Sequence, residues 1–156
     1  MPVAADIVES WRRPRLVVRR LVARGPSEPL VFSFLLTFLA LALAAVSPGL
    51  ARQAWLEGGT PLMPRLYASA LGLLATIPLW YLLAALGHLL ARAFGGNGDH
   101  YGGRLALFWA LLVIAPAMLA QGLVQGMVGQ VANLLGLLVG AGFLVLWVLA
   151  LREVES

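Results

Sequence analysis

Four long apolar stretches dominate the sequence, and each is bounded by charge, proline or glycine. They cover residues 30–47, 66–92, 105–124 and 131–151. At about 1.5 Å per helical residue, each is long enough, or nearly so, to cross a hydrocarbon core of roughly 30 Å. The stretches are continuously apolar rather than apolar at every second position, which indicates helices and not barrel strands. The pattern predicts an all-α integral membrane protein, with a four-span domain over residues 30–151.

Prolines lie directly after the first of these stretches and inside the second and third. Ser47-Pro48-Gly49 follows the first stretch and is expected to end its helix. Pro78 and Pro116 lie inside the second and third stretches. Because each removes one backbone hydrogen bond, we predict kinks at both positions.

Two glycine pairs lie near the ends of the last two spans. Gly122 with Gly126, and Gly136 with Gly140, have the small-xxx-small spacing that lets helices approach closely. The predicted role is helix packing, either inside the bundle or between two copies of the chain.

The segment before the first span, residues 1–29, is basic and amphipathic. Apolar side chains recur there near the helical period, and arginines fill much of the other face. Pro14 is expected to divide it, since proline suits the first turn of a helix. We predict an interfacial helix on the membrane surface, where anionic headgroups would be bound by Arg12, Arg13, Arg15, Arg19, Arg20 and Arg24.

Composition agrees with a membrane protein, because 61% of the 156 residues are hydrophobic and only 12% are charged. All 11 basic residues are arginines, and the net charge is +4. Too few residues lie outside the apolar stretches to build a basic soluble domain, so we expect no nucleic-acid partner. An arginine-only, alanine- and leucine-rich chain is typical of a GC-rich bacterial genome. Cysteine is absent, which excludes disulfides, thiolate metal sites and a cysteine nucleophile.

The arginines also predict orientation. In a four-span topology, nine lie on the side of the two termini and two, Arg52 and Arg65, lie on the other side. Because short loops rich in arginine stay inside, we expect a bacterial inner-membrane protein with both ends in the cytoplasm, residues 152–156 forming the second cytoplasmic tail.

Three polar side chains in or beside the spans are candidates for function, because polar groups are costly in lipid. They are His88, Gln121 and Gln125. They could line a channel or carrier formed by several copies of the chain. The alternative is structural: His88 would pack at the membrane interface, and the glutamines would bond between helices or cap a loop.

The spans contain no serine, histidine and acid at one depth, and no paired carboxylates. His88 and His100 alone fall short of a metal-ligand set. Gly95-Gly96-Asn97-Gly98 lacks the lysine and the strand of a phosphate-binding loop and is interpreted as a flexible turn. We therefore expect neither an enzyme nor a bound cofactor or metal.

Several segments together resemble the Yip family of small multispan membrane proteins. They are HLLARAFGGNG (88–98), RLALFWALL (104–112) with Pro116, and WRRPRLVVRRL (11–21), which looks like the lead-in of bacterial members. The eukaryotic relatives span the membrane five times and interact with Rab-type GTPases and with each other, whereas this chain shows four apolar stretches. The resemblance implies a structural motif without catalytic residues.

The leading hypothesis is a non-enzymatic, Yip-like interaction, scaffold or accessory protein of the bacterial inner membrane. Its basic N-terminus would grip the anionic leaflet, and its bundle would contact another membrane protein or a second copy of itself. The alternative is the homo-oligomeric channel or carrier.

Overall fold

The structure, a computed structural model, describes residues 3–129 and 132–156. The helices are α1 (Val3–Ser10), α2 (Pro14–Ala23), α3 (Glu28–Leu56), α4 (Leu62–Ala75), α5 (Ile77–Ala93), α6 (His100–Val128) and α7 (Ala132–Glu155). Four helical stretches are long and apolar enough to cross a membrane, namely α3, α4 with α5, α6, and α7 from Leu134. The prediction of an all-α protein with four spans behind a short helical segment is confirmed. Residues 130 and 131, where the fourth span is predicted to begin, lie outside the described residues.

Prolines begin three of the helices. Pro14 is the first residue of α2, Pro29 the second of α3 and Pro78 the second of α5. The first turn is where a missing N–H leaves no helical hydrogen bond unmade. The N-terminal segment is therefore divided at Pro14, as predicted. The second span is interrupted at Thr76, between α4 and α5.

The prediction that Ser47-Pro48-Gly49 ends the first helix is wrong. The α3 helix continues through Pro48 to Leu56. Pro48 lies against Gly126 of α6, where the Cβ of a larger residue would come within 2.5 Å of the proline ring. Ending the helix in lipid would leave several backbone groups unbonded, whereas proline removes only one bond. The close fit against α6 therefore favours a continuous helix.

The α6 helix is the centre of the bundle. Every residue from Leu105 to Ala115 is buried, as expected of a helix that is apolar on all sides. It packs most extensively against α3, which turns a stripe at helical spacing towards it: Val31, Phe34, Leu35, Phe38, Leu39, Ala42 and Ala45. The ring of Phe34 meets that of Trp109 edge-on at 5.2 Å. These two helices form the core, and α5 and α7 pack on the remaining sides of α6.

The N-terminal helices fold back onto the bundle. Val17, Val18 and Leu21 of α2 are buried in the core, and α2 packs chiefly against α7. Ser10 of α1 accepts a hydrogen bond from the indole nitrogen of Trp109 at 3.1 Å. Part of the apolar stripe predicted for the membrane surface is thus covered by protein. We call the end of the bundle where α5 and α7 finish and α6 begins the termini end.

Candidate functional site

A buried histidine and glutamate meet at the termini end. Nδ1 of His88, near the end of α5, lies 2.6 Å from Oε1 of Glu155, the last residue of α7. Their side chains are 1% and 5% exposed. Gly103 of α6 makes room for the ring, because a Cβ there would lie 2.9 Å from that of His88. Three spans therefore converge on this pair.

Glu155 also holds the loop between α5 and α6. Its Oε2 accepts the N–H of Gly98 at 3.0 Å, and its backbone carbonyl accepts the N–H of Asn97 at 3.0 Å. Side chains at Gly96 or Gly98 would press into Glu155, at 2.6 and 2.9 Å from its carboxyl group. The loop predicted as a flexible turn is packed and bonded to the end of α7.

The loop begins at a glycine that ends the α5 helix. Gly95 has a φ of +94°, the left-handed conformation that glycine adopts without strain. The N–H groups of Gly95 and Gly96 bond back to the carbonyls of Arg92 and Ala91. This double bonding satisfies the end of α5 and directs the chain towards Glu155.

The second histidine lies beside the pair. The ring centroid of His100 is 4.5 Å from that of His88. Among residues 3–129 and 132–156, no three His, Asp or Glu side chains are arranged to hold a metal ion. The His88–Glu155 pair ties α5 to α7.

Half of the N-terminal arginines are used inside the protein. Arg19 pairs with Glu153 of α7 at 2.7 Å, and Arg20 bonds to Glu9 of α1. Arg20 and Arg24 both face Asp6, which is 3% exposed, at 3.4 and 3.7 Å. These ion pairs join α1, α2 and α7.

The other three arginines face outward. Arg12, Arg13 and Arg15 are exposed and form no ion pair with the described residues. They surround the break between α1 and α2, beside Trp11, which is 51% exposed. A basic surface with an exposed aromatic ring is therefore left without an acidic partner among the residues that the structure describes. We call Trp11, Arg12, Arg13 and Arg15 the basic surface.

Comparison with models of known protein families shows which family the chain belongs to. The model of the Yip1 domain matches residues 8–155, which is nearly the whole chain. The protein belongs to the Yip1 domain family. The resemblance read from the sequence is confirmed. Curated proteins and solved structures gave no match.

The Yip1 match covers α2, all four spans and the buried pair. The segments that carry the resemblance form one region of the structure. Residues 88–98 supply His88 and the glycine loop, and residues 104–112 are the buried start of α6. Residues 11–21 provide the basic surface and part of α2. The Yip family is one of non-enzymatic, multi-pass membrane proteins.

Within one chain, the structure does not bring together the three polar residues that were proposed to line a channel. His88 packs beside Gly103, at the beginning of α6. Gln121 and Gln125 lie 18 and 22 residues farther along that helix, about 27 and 33 Å away. Gln121 lies near Gly136 of α7 instead.

The predicted packing glycines of this Yip1 domain differ from one another. At Gly122 a Cβ would overlap the backbone carbonyl of Ala45, so this glycine brings α6 close to α3. Gly126 has the same role against Pro48 of α3. On α7, a Cβ at Gly136 would lie 3.1 Å from Gln121, whereas Gly140 faces open space. Pro116 lies within α6, which continues as a helix through it.

The acidic partners in this Yip1 domain were not predicted from the sequence. Glu155 and Glu153 follow the last apolar stretch and look like an ordinary hydrophilic tail. Asp6 and Glu9 are separated by three positions, which is the spacing of one helix face. The available signal was the cost of burying His88 in a span, which calls for an acid at the same depth.

Proposed function

We propose that this Yip1 domain protein is a non-enzymatic interaction or accessory protein of the bacterial inner membrane. Its basic surface binds the anionic leaflet, and the outer faces of its spans contact another membrane protein or another copy of the chain. The observation that carries the proposal is the separation of the N-terminal arginines into an internally paired set and an unpaired, exposed set.

The charge distribution supports this assignment. Among the six N-terminal arginines, Arg19, Arg20 and Arg24 have acidic partners within the chain, so the attraction for lipid phosphate in this segment falls on Arg12, Arg13 and Arg15. Each arginine near an anionic surface contributes about 1 kcal/mol, so the three together contribute about 3 kcal/mol. The exposed ring of Trp11 suits the headgroup region.

Orientation follows from the same arginines. Nine of the eleven lie in the segments of the termini end, and only Arg52 and Arg65 lie at the other. The positive-inside rule then places the termini end in the cytoplasm, where the anionic leaflet surface is.

The outer spans provide the contact surface for a partner. No residue of α4 is buried, and the outer face of α7 exposes Leu134, Leu137 and Val145. These faces meet lipid in an isolated chain and are available to the spans of a neighbouring protein.

The test compares the wild type with R12Q/R13Q/R15Q. We expect the variant to show a reduced enrichment of phosphatidylglycerol over phosphatidylcholine, measured by lipid mass spectrometry of protein in nanodiscs of mixed composition. Its unfolding stability should stay unchanged, since these arginines form no ion pair within residues 3–129 and 132–156. Point variants are required because deletion of residues 1–24 would also remove the buried Val17, Val18 and Leu21.

The charge-matched control is R12K/R13K/R15K. Lysine keeps the positive charge, so an electrostatic contact with the leaflet should survive this exchange. Raising the salt concentration should weaken the enrichment in both proteins that keep the charge. Equal phosphatidylglycerol enrichment in the wild type and in the glutamine variant would contradict the leaflet-binding role.

A further inference from the structure

A groove of about 690 Å³ opens between α5 and α7 near the termini end. This volume lies within the range of about 300–1,000 Å³ that is typical of small-molecule sites. Its walls are mainly apolar and include Leu90 and Phe94 of α5 and Trp147, Val148 and Leu151 of α7. The groove lies at the side of the bundle, where membrane lipid surrounds the protein.

The length of the groove along α7 suits the acyl chain of a lipid. From Trp147 to Glu155 the helix rises about 12 Å, compared with roughly 15 Å for the hydrocarbon half of one leaflet. Its floor is formed at Gly87, where a Cβ would lie 2.7 Å from the ring of Trp147. The absence of a side chain at Gly87 lets the indole lie against α5.

The outer end of the groove carries one available charge. Arg152 and Glu155 both line it. The carboxylate of Glu155 is turned inward, 5% exposed, and held by His88 and the N–H of Gly98. Arg152 is exposed and forms no ion pair with the described residues. A positive group at the mouth of an apolar groove is complementary to a phosphate attached to an acyl chain.

We propose that this groove binds one glycerophospholipid, with the phosphate at Arg152 and an acyl chain between α5 and α7. The site is separate from the basic surface, and the lipid is held by shape and by a single phosphate contact rather than by net charge. A phospholipid bound there would fill the space between two spans.

The experiment measures lipid binding to the detergent-purified protein by native mass spectrometry. The probe is dioleoyl phosphatidylethanolamine, which carries a phosphate but no net charge, so that the basic surface does not attract it. Dioleoylglycerol, with the same chains and no phosphate, is the comparison lipid. We expect one phosphatidylethanolamine per chain and weaker binding of dioleoylglycerol.

Two variants test the two parts of the site. Val148→Trp fills the groove and should weaken phosphatidylethanolamine binding about tenfold. The matched control is Val145→Trp, one turn deeper on α7, which is also exposed but does not line the groove. Arg152→Gln should weaken phosphatidylethanolamine binding about tenfold and leave dioleoylglycerol binding unchanged. Its control is Arg92→Gln, an exposed arginine of α5 outside the lining.

The inference is overturned if Val148→Trp and Val145→Trp bind phosphatidylethanolamine equally well. It is also overturned if the wild type binds the lipids with and without phosphate alike. These outcomes leave the proposed function untouched, because that proposal is tested with phosphatidylglycerol and with the arginines of the basic surface.

Discussion

Removal of the Glu155 side chain should destabilise the bundle more than any other single change at the termini end. Glu155→Ala removes the carboxyl group that lies 2.6 Å from Nδ1 of His88 and that accepts the N–H of Gly98 at 3.0 Å. The buried ring of His88 and the partly buried N–H of Gly98 then both lose their bonding partner. Removing one partner of a buried hydrogen bond, so that the other group is left unpaired, costs about 1–3 kcal/mol. We expect a loss of this size in the free energy of unfolding.

Glu153→Ala is the matched control. Glu153 lies two residues earlier, on the same last turn of α7, with a side chain that is 11% exposed, and it pairs with Arg19, whose side chain is 77% exposed and keeps the pair in contact with water. An exposed ion pair contributes about 0–1 kcal/mol. Both substitutions replace glutamate by alanine in the same helix, so their intrinsic helix preferences cancel in the comparison.

Reversible unfolding in mixed micelles measures the difference. Sodium dodecyl sulfate is titrated into protein in dodecyl maltoside, and tryptophan fluorescence and circular dichroism follow the loss of structure. The expected order of stability is wild type, then Glu153→Ala slightly below it, then Glu155→Ala far below. If the two variants were equally stable, the buried pair would not be what holds α5 and the glycine loop to α7.

Two further predictions concern packing and pH. Gly122→Ala should destabilise the protein by about 1–3 kcal/mol because its Cβ overlaps the carbonyl of Ala45, whereas Gly140→Ala, in open space, should stabilise it by about 0.5–1 kcal/mol; the same unfolding titration checks both. At the other end, the side-chain hydrogen bond from Arg65 lowers the pKa of Glu57 below its ordinary 4.5. The Glu57–Arg65 pair therefore stabilises the protein above pH 4.5, and this stabilisation is lost as the pH falls through the lowered pKa. The unfolding free energies of the wild type and of Glu57→Gln should therefore converge in acid.

The number and type of the spans could be predicted because continuous hydrophobicity is a local property of the sequence. The end of the first helix could not. Whether a helix continues through Pro48 depends on the room that Gly126 leaves on a different helix. A proline in the sequence indicates the lost hydrogen bond but not the neighbour that compensates for it.

Only part of the candidate site could be predicted from the sequence. His88 was identified because a histidine in a span is costly, but its partner lies 67 residues away. Glu153 and Glu155 are equally acidic in the sequence, and only the packing of α7 against α5 turns one inward and the other towards Arg19. The arginine cluster could also be predicted from the sequence. Its division into paired and exposed arginines could not, because α1 must fold back to bring Asp6 and Glu9 to α2.

The central claim is that this Yip1 domain protein acts by contacting other membrane proteins. The most direct measurement extracts the tagged protein from its native membrane into polymer nanodiscs and quantifies all co-purifying proteins by mass spectrometry. The account predicts a near-stoichiometric partner, either a second membrane protein or a second copy of the chain, that can be cross-linked to α4 or α7. Recovery of the chain as a monomer, or of copies of itself in particles that pass solute after reconstitution, would contradict it.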